Sequence, residues 1–220
     1  MTARKRDATV EARSGGVLAI WTDIAPELEA DFNEWYWREH FPERLSVPGF
    51  QSAQRYRAIA GSPRYLAWYE LDGVEFLDSL AYQERLHHPT EWTRRVTVGF
   101  RNYTRAAFRP LTRVGNVAGA VILTLRLSAR AKAPSTQMLS QIAKASGITR
   151  VQLWQAAETQ APIPGELASL GRAGEPAARV IVVEAADAED LAAATRGLLS
   201  QCGTASAASY RFLCSLHRPS

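Results

Sequence analysis

Tyr36 and His40 are the residues of this sequence whose types and spacing most directly suggest chemistry. They lie in the segment 33–50, NEWYWREHFPERLSVPGF, four positions apart, which is about one turn of a helix. A histidine titrates near neutral pH and can act as a general base or a general acid. A tyrosine one turn away could orient or polarise a carbonyl or hydroxyl group. The pair therefore predicts proton transfer next to a carbonyl; the competing interpretation is a histidine at a helix C-terminus that hydrogen-bonds to the backbone.

Aromatic side chains supply candidate walls for a pocket around this pair. Of the 20 aromatic residues (six Trp, seven Tyr and seven Phe), 17 precede residue 116, as do three of the four histidines. We therefore predict that the first half carries the site and that the second half is scaffold, although packing alone could also produce this difference. Trp21, Tyr56 and Tyr69 are the predicted substrate-binding residues. Strand alternation does not say which strand face lines the pocket.

The segment LHHPTEW, residues 86–92, is a second candidate with histidines. Consecutive histidines rarely point to the same side, so at most one of His87 and His88 is expected to face inward, and His88 is included among the predicted substrate-binding residues. Trp92 is costly to leave exposed, and we predict that it packs over the pocket mouth as a lid. The alternative is a polar loop that follows a helix and has no functional role.

Charge and hydropathy exclude several classes of protein. The formal net charge is +4, but acidic and basic residues are interleaved, so no basic arm for nucleic acid is present. No run of about 18 apolar residues predicts a membrane span, and the polar N-terminal segment does not resemble a signal peptide. Cys202 and Cys214 form no disulfide framework, which favours a reducing compartment such as the cytoplasm.

Motifs for nucleotide, metal and serine chemistry are absent from the sequence. There is no G-x-S-x-G, no P-loop and no G-x-G-x-x-G that opens a helix after a strand. His40 has Glu39 and Glu43 nearby, but neither pair has the i, i+4 spacing of a helical chelate. We therefore predict neither a metal nor another cofactor, and a metal ion at His40 is the weaker alternative.

The hydrophobic pattern predicts the same order of elements twice, β-α-β-β-α-β. The predicted strands of the first half are 16–24, 50–60, 64–72 and 100–108, and its helices run from Pro26 to about Phe41 and over 74–86. The predicted strands of the second half are 119–128, 148–158, 177–185 and 208–216, and its helices are 135–146 and 188–201. A Pro- and Gly-rich loop is predicted at 159–176. We place the two repeats at residues 16–112 and 118–217, after a disordered lead-in at 1–15.

Each repeat has the order of the ferredoxin-like split βαβ motif, which is an α+β arrangement. Two helices cover one face of such an antiparallel sheet, so the other face must be buried elsewhere. We expect the two tandem sheets to close a dimeric α/β barrel within one chain; the competing arrangement is two domains that each find a separate partner. Trp37 and Phe41 form an apolar stripe nearly opposite the buried face of the first helix. This stripe predicts a second cover, for instance a homodimer interface.

The segment WYWREHFPERLSVPGF, with Arg55-Tyr56 and YLAWYEL at 65–71, resembles the EthD-like dimeric α/β-barrel proteins. Members show an aromatic-rich first helix, a histidine two residues before a proline, and a Pro-Gly turn into the second strand. SLAYQERLHHPTEWTRR, at 79–95, resembles the longer, duplicated members. The similarity covers residues 16–108, and the second half only through its order of elements.

The resemblance implies a cofactor-poor barrel with a pocket between sheet and helices, in which His40 matches the family's histidine. It leaves the reaction open, because such barrels host monooxygenases, lyases, dehydratases and isomerases, and some related barrels bind haem through a histidine. We predict a cofactor-independent enzyme that acts on a small hydrophobic, aromatic or polyketide-like molecule, as a lyase, dehydratase or isomerase. The alternatives are a cofactorless monooxygenase and a non-catalytic small-molecule-binding or stress-response protein. Neither a nucleic acid nor a membrane is an expected partner.

Overall fold

Eight antiparallel strands close a barrel within one chain. A computed structural model describes residues 15–159, 177–202 and 205–219, so all but Thr159 of the predicted loop at 159–176 and all but Gly15 of the predicted lead-in lie outside the described residues. The strands are β1 Gly16–Ile24, β2 Phe50–Ala60, β3 Tyr65–Leu71, β4 Phe100–Val114, β5 Val121–Leu127, β6 Ile148–Ala157, β7 Arg179–Ala185 and β8 Ala205–His217. Around the barrel they follow the order β1-β3-β2-β8-β5-β7-β6-β4, and β4 returns to β1. The predicted tandem ferredoxin-like barrel is confirmed.

The two halves are joined by two strand pairings, β2 with β8 and β4 with β6. β4 is longer than the predicted strand 100–108, because it first pairs with β1 and then continues along β6. Pro110 lies within this strand, at the start of an irregularity in the pairing between Pro110 and Thr112. A proline cannot donate a ladder hydrogen bond, so such an irregularity is where a strand tolerates it.

Strand alternation divides the core into three layers. On β3, Leu66 and Trp68 point into the barrel, whereas Tyr65, Ala67 and Tyr69 point out toward the helices of the first half. The barrel interior also holds a ring-rich cluster and a buried ion pair. The second half has its own outer layer of aliphatic side chains under the helices of its described part.

The first helical region is longer and less regular than predicted. A 3₁₀ turn at Pro26–Leu28 leads into α1 Glu29–Trp35, a π-helical turn covers Tyr36–His40, and α2 covers Phe41–Leu45. The prediction that the helix ends near Phe41 is wrong by one turn. Pro42 does not stop the chain there because it occupies the first turn of α2, where a missing N–H costs little.

The second helical region of the first half contains two α-helices, α3 and α4, instead of the one predicted. The predicted helix 74–86 is divided into a 3₁₀ turn at Val74–Asp78 and α3 Leu80–His87. The division falls at Ser79, whose side chain caps α3 by accepting a hydrogen bond from the Tyr82 N–H. The predicted loop around Pro89 contains a further helix, α4 Glu91–Thr97, capped by Thr90.

The second half has α5 Thr136–Ala143 and α6 Ala188–Gln201. No helix in the described part of the chain has the length and hydropathy needed to cross a membrane.

Candidate functional site

A small cavity lies between the helices of the first half and the sheet face that they cover. Its volume is about 60 Å³. Leu86 on α3 and Thr97 on α4 are half-buried, so the cavity approaches the surface between these two helices. The side chains that line it are Leu18, Ile20, Trp35, Tyr36, His40, Arg44, Tyr69, Tyr82, Leu86, Thr93, Thr97, Phe100, Tyr103 and Arg105.

The π-helical turn sets the direction of the side chains around the cavity. The Phe41 N–H donates to the carbonyl oxygen of Tyr36, five residues earlier, which widens the helix by one residue. Phe41 is thereby brought under Tyr36, with ring centroids 5.3 Å apart, and is 1% exposed. The predicted stripe of Trp37 and Phe41 is therefore wrong. Trp37 alone remains outside, 42% exposed, and a homodimer stays a prediction without this support.

His40 is held by rings on several sides. Its imidazole stacks on the Trp35 indole, with centroids 4.1 Å apart and planes 26° apart. Tyr36 and Tyr69 meet it edge to face at 5.3 and 6.2 Å. The cavity thus brings together His40, Tyr36 and Tyr69 of the predicted site residues.

The environment of His40 favours a neutral imidazole. Burial, with added repulsion from the Arg44 and Arg55 guanidinium groups, holds the pKa of His40 well below its ordinary value of 6.5. Its Nδ1 is buried and accepts or donates no hydrogen bond among the described residues; Glu43 Oε2 is 4.0 Å away, too far for one. A neutral imidazole with a free ring nitrogen can accept a proton from a bound molecule.

Two further polar atoms in the cavity lining lack hydrogen-bond partners among the described residues. They are the Tyr69 hydroxyl and one terminal nitrogen of Arg44, in side chains that are 1% and 6% exposed. Burial raises the pKa of Tyr69 well above its ordinary value, so its hydroxyl stays protonated and can donate. Burial also raises the pKa of Tyr36 to about 12. The cavity therefore offers one proton acceptor, His40 Nδ1, and two donors, the Tyr69 hydroxyl and an Arg44 nitrogen, that the described protein groups leave unused.

A hydrogen-bonded chain fixes the indole against which His40 stacks. Trp35 Nε1 donates to the Thr93 hydroxyl oxygen at 3.2 Å, and the Thr90 hydroxyl donates to Glu39 Oε1 at 2.6 Å. The chain ties α4 to the first helical region. These residues were not predicted; the Thr90-Glu91 pair, a capping residue followed by an acid, is the sequence signal that would have indicated α4.

Trp21 and Tyr56 lie on the other side of the sheet, inside the barrel. Trp21 packs edge to face on Phe108, and the Tyr56 hydroxyl donates to Gln54 Oε1 at 2.8 Å. Neither belongs to the lining of the His40 cavity. Trp68 also points into the barrel, and its ring centroid lies 4.6 Å from that of Tyr56. All three residues belong to the cluster that fills the barrel.

The two predicted residues of segment 86–92 lie outside the cavity lining. His88 and its neighbour His87 are exposed. Trp92 is half-buried against the first-half core, and its Nε1 donates to Asp31 Oδ1 at 2.9 Å. It therefore ties α4 to α1 beside the cavity.

Arg44, Tyr82, Tyr103 and Arg105 line the cavity but were not predicted. An Arg105 terminal nitrogen donates to the Tyr82 hydroxyl at 3.2 Å, and the Arg44 guanidinium lies 5.5 Å from the Tyr82 ring centre. Strand alternation places Tyr103, Arg105 and Ala107 on one face of β4. Alternation does not show, however, that this face is the one covered by the helices.

Searches against protein-family models and curated protein sequences find no match for this chain. Solved structures do match it. An anthrone oxidase-like protein superposes with a TM-score of 0.61 and 11% identity, covering 96% of this chain and 98% of the other. A monooxygenase-like protein of Lactobacillus acidophilus NCFM gives 0.54 and 8%, covering 94% and 97%. A chlorite dismutase-like protein gives 0.51 and 8%, covering 92% and 96%.

The chain has the dimeric α/β-barrel fold. At these identities the likeness concerns the fold alone, and the matches extend over nearly the whole length of each chain.

The size of the cavity and the residues around it can be compared with what haem or a metal ion requires. A cavity of about 60 Å³ is small beside the roughly 300–1,000 Å³ of sites for drug-sized ligands, so a porphyrin would fit beside His40 only after a large rearrangement of the helices that cover the cavity. The stacked Trp35 also covers one face of the imidazole. Within the described ranges, no three His, Cys, Asp or Glu side chains are grouped as a metal site would require.

Proposed function

We propose that this protein is a cofactor-independent enzyme in which His40 removes a proton from a carbon or oxygen next to a carbonyl of a small aromatic or polyketide-like molecule. The observation that carries this proposal is a largely buried, neutral imidazole whose Nδ1 has no hydrogen-bond partner among the described residues, with the Tyr69 ring 6.2 Å from it between centroids. The imidazole would accept the proton, and the phenol would donate a hydrogen bond to the oxygen on which negative charge develops.

The ring-lined cavity supports an aromatic substrate. Trp35, Phe100 and Tyr103 offer flat apolar surfaces that gain free energy by covering a ring. Because the closed cavity is smaller than such a substrate, binding requires movement at its rim. Half-buried Leu86 and Thr97, between α3 and α4, are the side chains that would move. The segment 86–92 would then act as part of a lid, as its position between these helices suggests.

The same first step, proton removal, can lead to three reaction types. Return of the proton to another atom gives isomerisation, and loss of a leaving group gives elimination or carbon–carbon cleavage. Reaction of the carbanion with O₂ instead gives a cofactorless oxygenase, which converts a CH₂ group next to a ring into a carbonyl and releases water. The oxygenase is favoured by one observation, the whole-length similarity to an anthrone oxidase-like protein. Membership of the EthD-like group is part of this proposal.

The test separates proton removal from the later steps of the reaction. Wild type, His40→Gln and His88→Gln are incubated with anthrone and related ketones in D₂O without O₂, and exchange of the activated C–H is followed by NMR. We expect wild type and His88→Gln to catalyse exchange and His40→Gln to lose at least about 100-fold of the rate, the lower range for a general base. Admission of O₂ then shows whether a carbonyl product forms.

Equal exchange rates for wild type and His40→Gln would refute the catalytic role. Tight binding of a ring compound with no exchange in any variant would instead support the alternative, a non-catalytic binding protein.

A further inference from the structure

Arg55 is a fully buried arginine without a hydrogen-bond partner among the described residues. It lies on β2 and is 0% exposed, and Nε and both terminal nitrogens lack an acceptor. The acid on the neighbouring helix, Glu29, pairs instead with Arg57 and Arg64. Because an isolated buried charge is strongly unfavourable, a guanidinium in this state needs an explanation.

Four aromatic rings surround the guanidinium. Its central carbon lies 4.1 Å from the ring centre of Tyr36, 4.5 Å from Phe32, 4.7 Å from Tyr65 and 5.7 Å from Trp37. Ring faces attract a cation, but they accept none of its five N–H groups as a carboxylate would. The rings therefore hold the guanidinium in place while its hydrogen-bonding capacity stays unused.

Arg55 does not itself line the His40 cavity or reach solvent, but two of its ring neighbours do. Tyr36, on whose ring Arg55 rests, also lines the His40 cavity. Of the four rings, Phe32, Tyr36 and Tyr65 are at most 3% exposed, whereas Trp37 is 42% exposed. Trp37 is thus the most exposed of the four rings, and movement of its side chain would open a route from solvent to the guanidinium.

We infer that Arg55 binds the carboxylate of an aromatic acid whose ring enters the His40 cavity, with Trp37 as the side chain that moves to admit it. The planar fork of a guanidinium matches a carboxylate through two parallel hydrogen bonds. The surrounding rings favour a flat anion over a tetrahedral one. This inference deepens the proposed function and depends on it for the reaction, but the binding of the carboxylate can be tested separately.

The test compares two ligands of nearly the same shape, benzoate and the neutral benzamide, by NMR titration. The proteins are wild type, Arg55→Met and Arg57→Met. Arg57→Met is the matched control, because it removes a positive charge two residues away on the same strand, from a side chain that is 37% exposed. We expect wild type and Arg57→Met to prefer benzoate at least tenfold, and Arg55→Met to lose that preference.

Several results would overturn the inference. It fails if wild type binds both ligands equally, if Arg55→Met keeps the preference, or if inorganic phosphate displaces benzoate as well as 2-fluorobenzoate does. Methionine has a similar volume, and loss of an unpaired charge should leave the melting temperature of Arg55→Met unchanged or raised. If Arg55→Met does not fold, the stacked cation is structural and the ligand preference of wild type and Arg55→Lys decides the question.

The two proposals fail separately. A benzoate preference in wild type, with no proton exchange in wild type, would support the carboxylate site and refute the proposed enzyme. Proton exchange in wild type without any preference for benzoate would support the proposed enzyme and refute the carboxylate site.

Discussion

Acidification should destabilise this protein through His40. The imidazole is neutral in the folded protein because burial, Arg44 and Arg55 hold its pKa well below 6.5. In the unfolded chain the same histidine titrates near pH 6.5. Between these two values the unfolded state therefore binds a proton that the folded state does not. Stability is complete above pH 6.5 and is lost as the pH falls below it.

The size of the effect follows from the difference of one proton. The free energy of unfolding should fall by up to about 1.4 kcal/mol for each pH unit below the unfolded pKa, until the folded pKa is reached. Carboxylates that lose ion pairs add their own slope at lower pH, so the window between pH 5 and 7 isolates the histidine.

Urea denaturation at half-unit steps from pH 5 to 8 measures this slope. His40→Gln cannot titrate, and we expect its free energy of unfolding to vary less with pH than that of wild type, with His88→Gln behaving like wild type. Parallel curves for wild type and His40→Gln would contradict a buried neutral imidazole. A wild type that becomes more stable on acidification would show instead that His40 pairs with Glu43 in solution, 4.0 Å away in the structure.

Two further predictions concern the barrel interior and the support of Trp35. Glu184 and Arg150, 0% and 4% exposed, form a two-pronged ion pair inside the barrel, in which Glu184 also accepts from Gln152 and from the Gly119 N–H. Glu184→Leu and Arg150→Met should each lower the free energy of unfolding by about 3–5 kcal/mol, since each leaves a buried charge unpaired, while the double variant recovers most of the loss. Urea denaturation of wild type, the two single variants and the double variant measures the coupling free energy. If the double variant loses as much free energy of unfolding as the two single variants together, the coupling is refuted. The exposed pair Glu34–Arg38 is the control and should show no measurable coupling. Thr93→Val leaves Trp35 Nε1 without its acceptor and should cost about 1–3 kcal/mol, whereas Thr93→Ser keeps the hydroxyl and most of the stability. Equal thermal unfolding of the valine and serine variants would show that the hydrogen bond is not what holds the indole.

The sequence predicts the barrel well because strand alternation and the repeated element order are local patterns that tertiary packing preserves. The same alternation correctly separates Tyr65 and Tyr69 from Leu66 and Trp68. It cannot say which group meets the helices, because both groups are large and apolar. Tyr56 and Tyr69 were therefore predicted together as pocket walls, although the sheet lies between them.

The cavity depends on features that periodicity does not report. A wheel drawn at 100° per residue places Phe41 opposite the core, and one π-helical turn moves it inside. Arg55 is a similar case. An arginine in an alternating strand is expected to face solvent. Arg55 is buried instead, under four rings that lie 10 or more residues away along the sequence, and strand periodicity does not report such contacts.

The pairings of β2 with β8 and of β4 with β6 mean that no strand of the barrel has an unpaired edge. Either half alone would present two long edges, each a template for another chain to add to. Covalent joining thus fixes the partner of each sheet at synthesis, at a local concentration that no second molecule matches. It also frees the halves from having to be identical. One half can then hold most of the rings, a neutral histidine and an arginine without a hydrogen-bond partner among the described residues, while the other half pairs with both edges of its sheet.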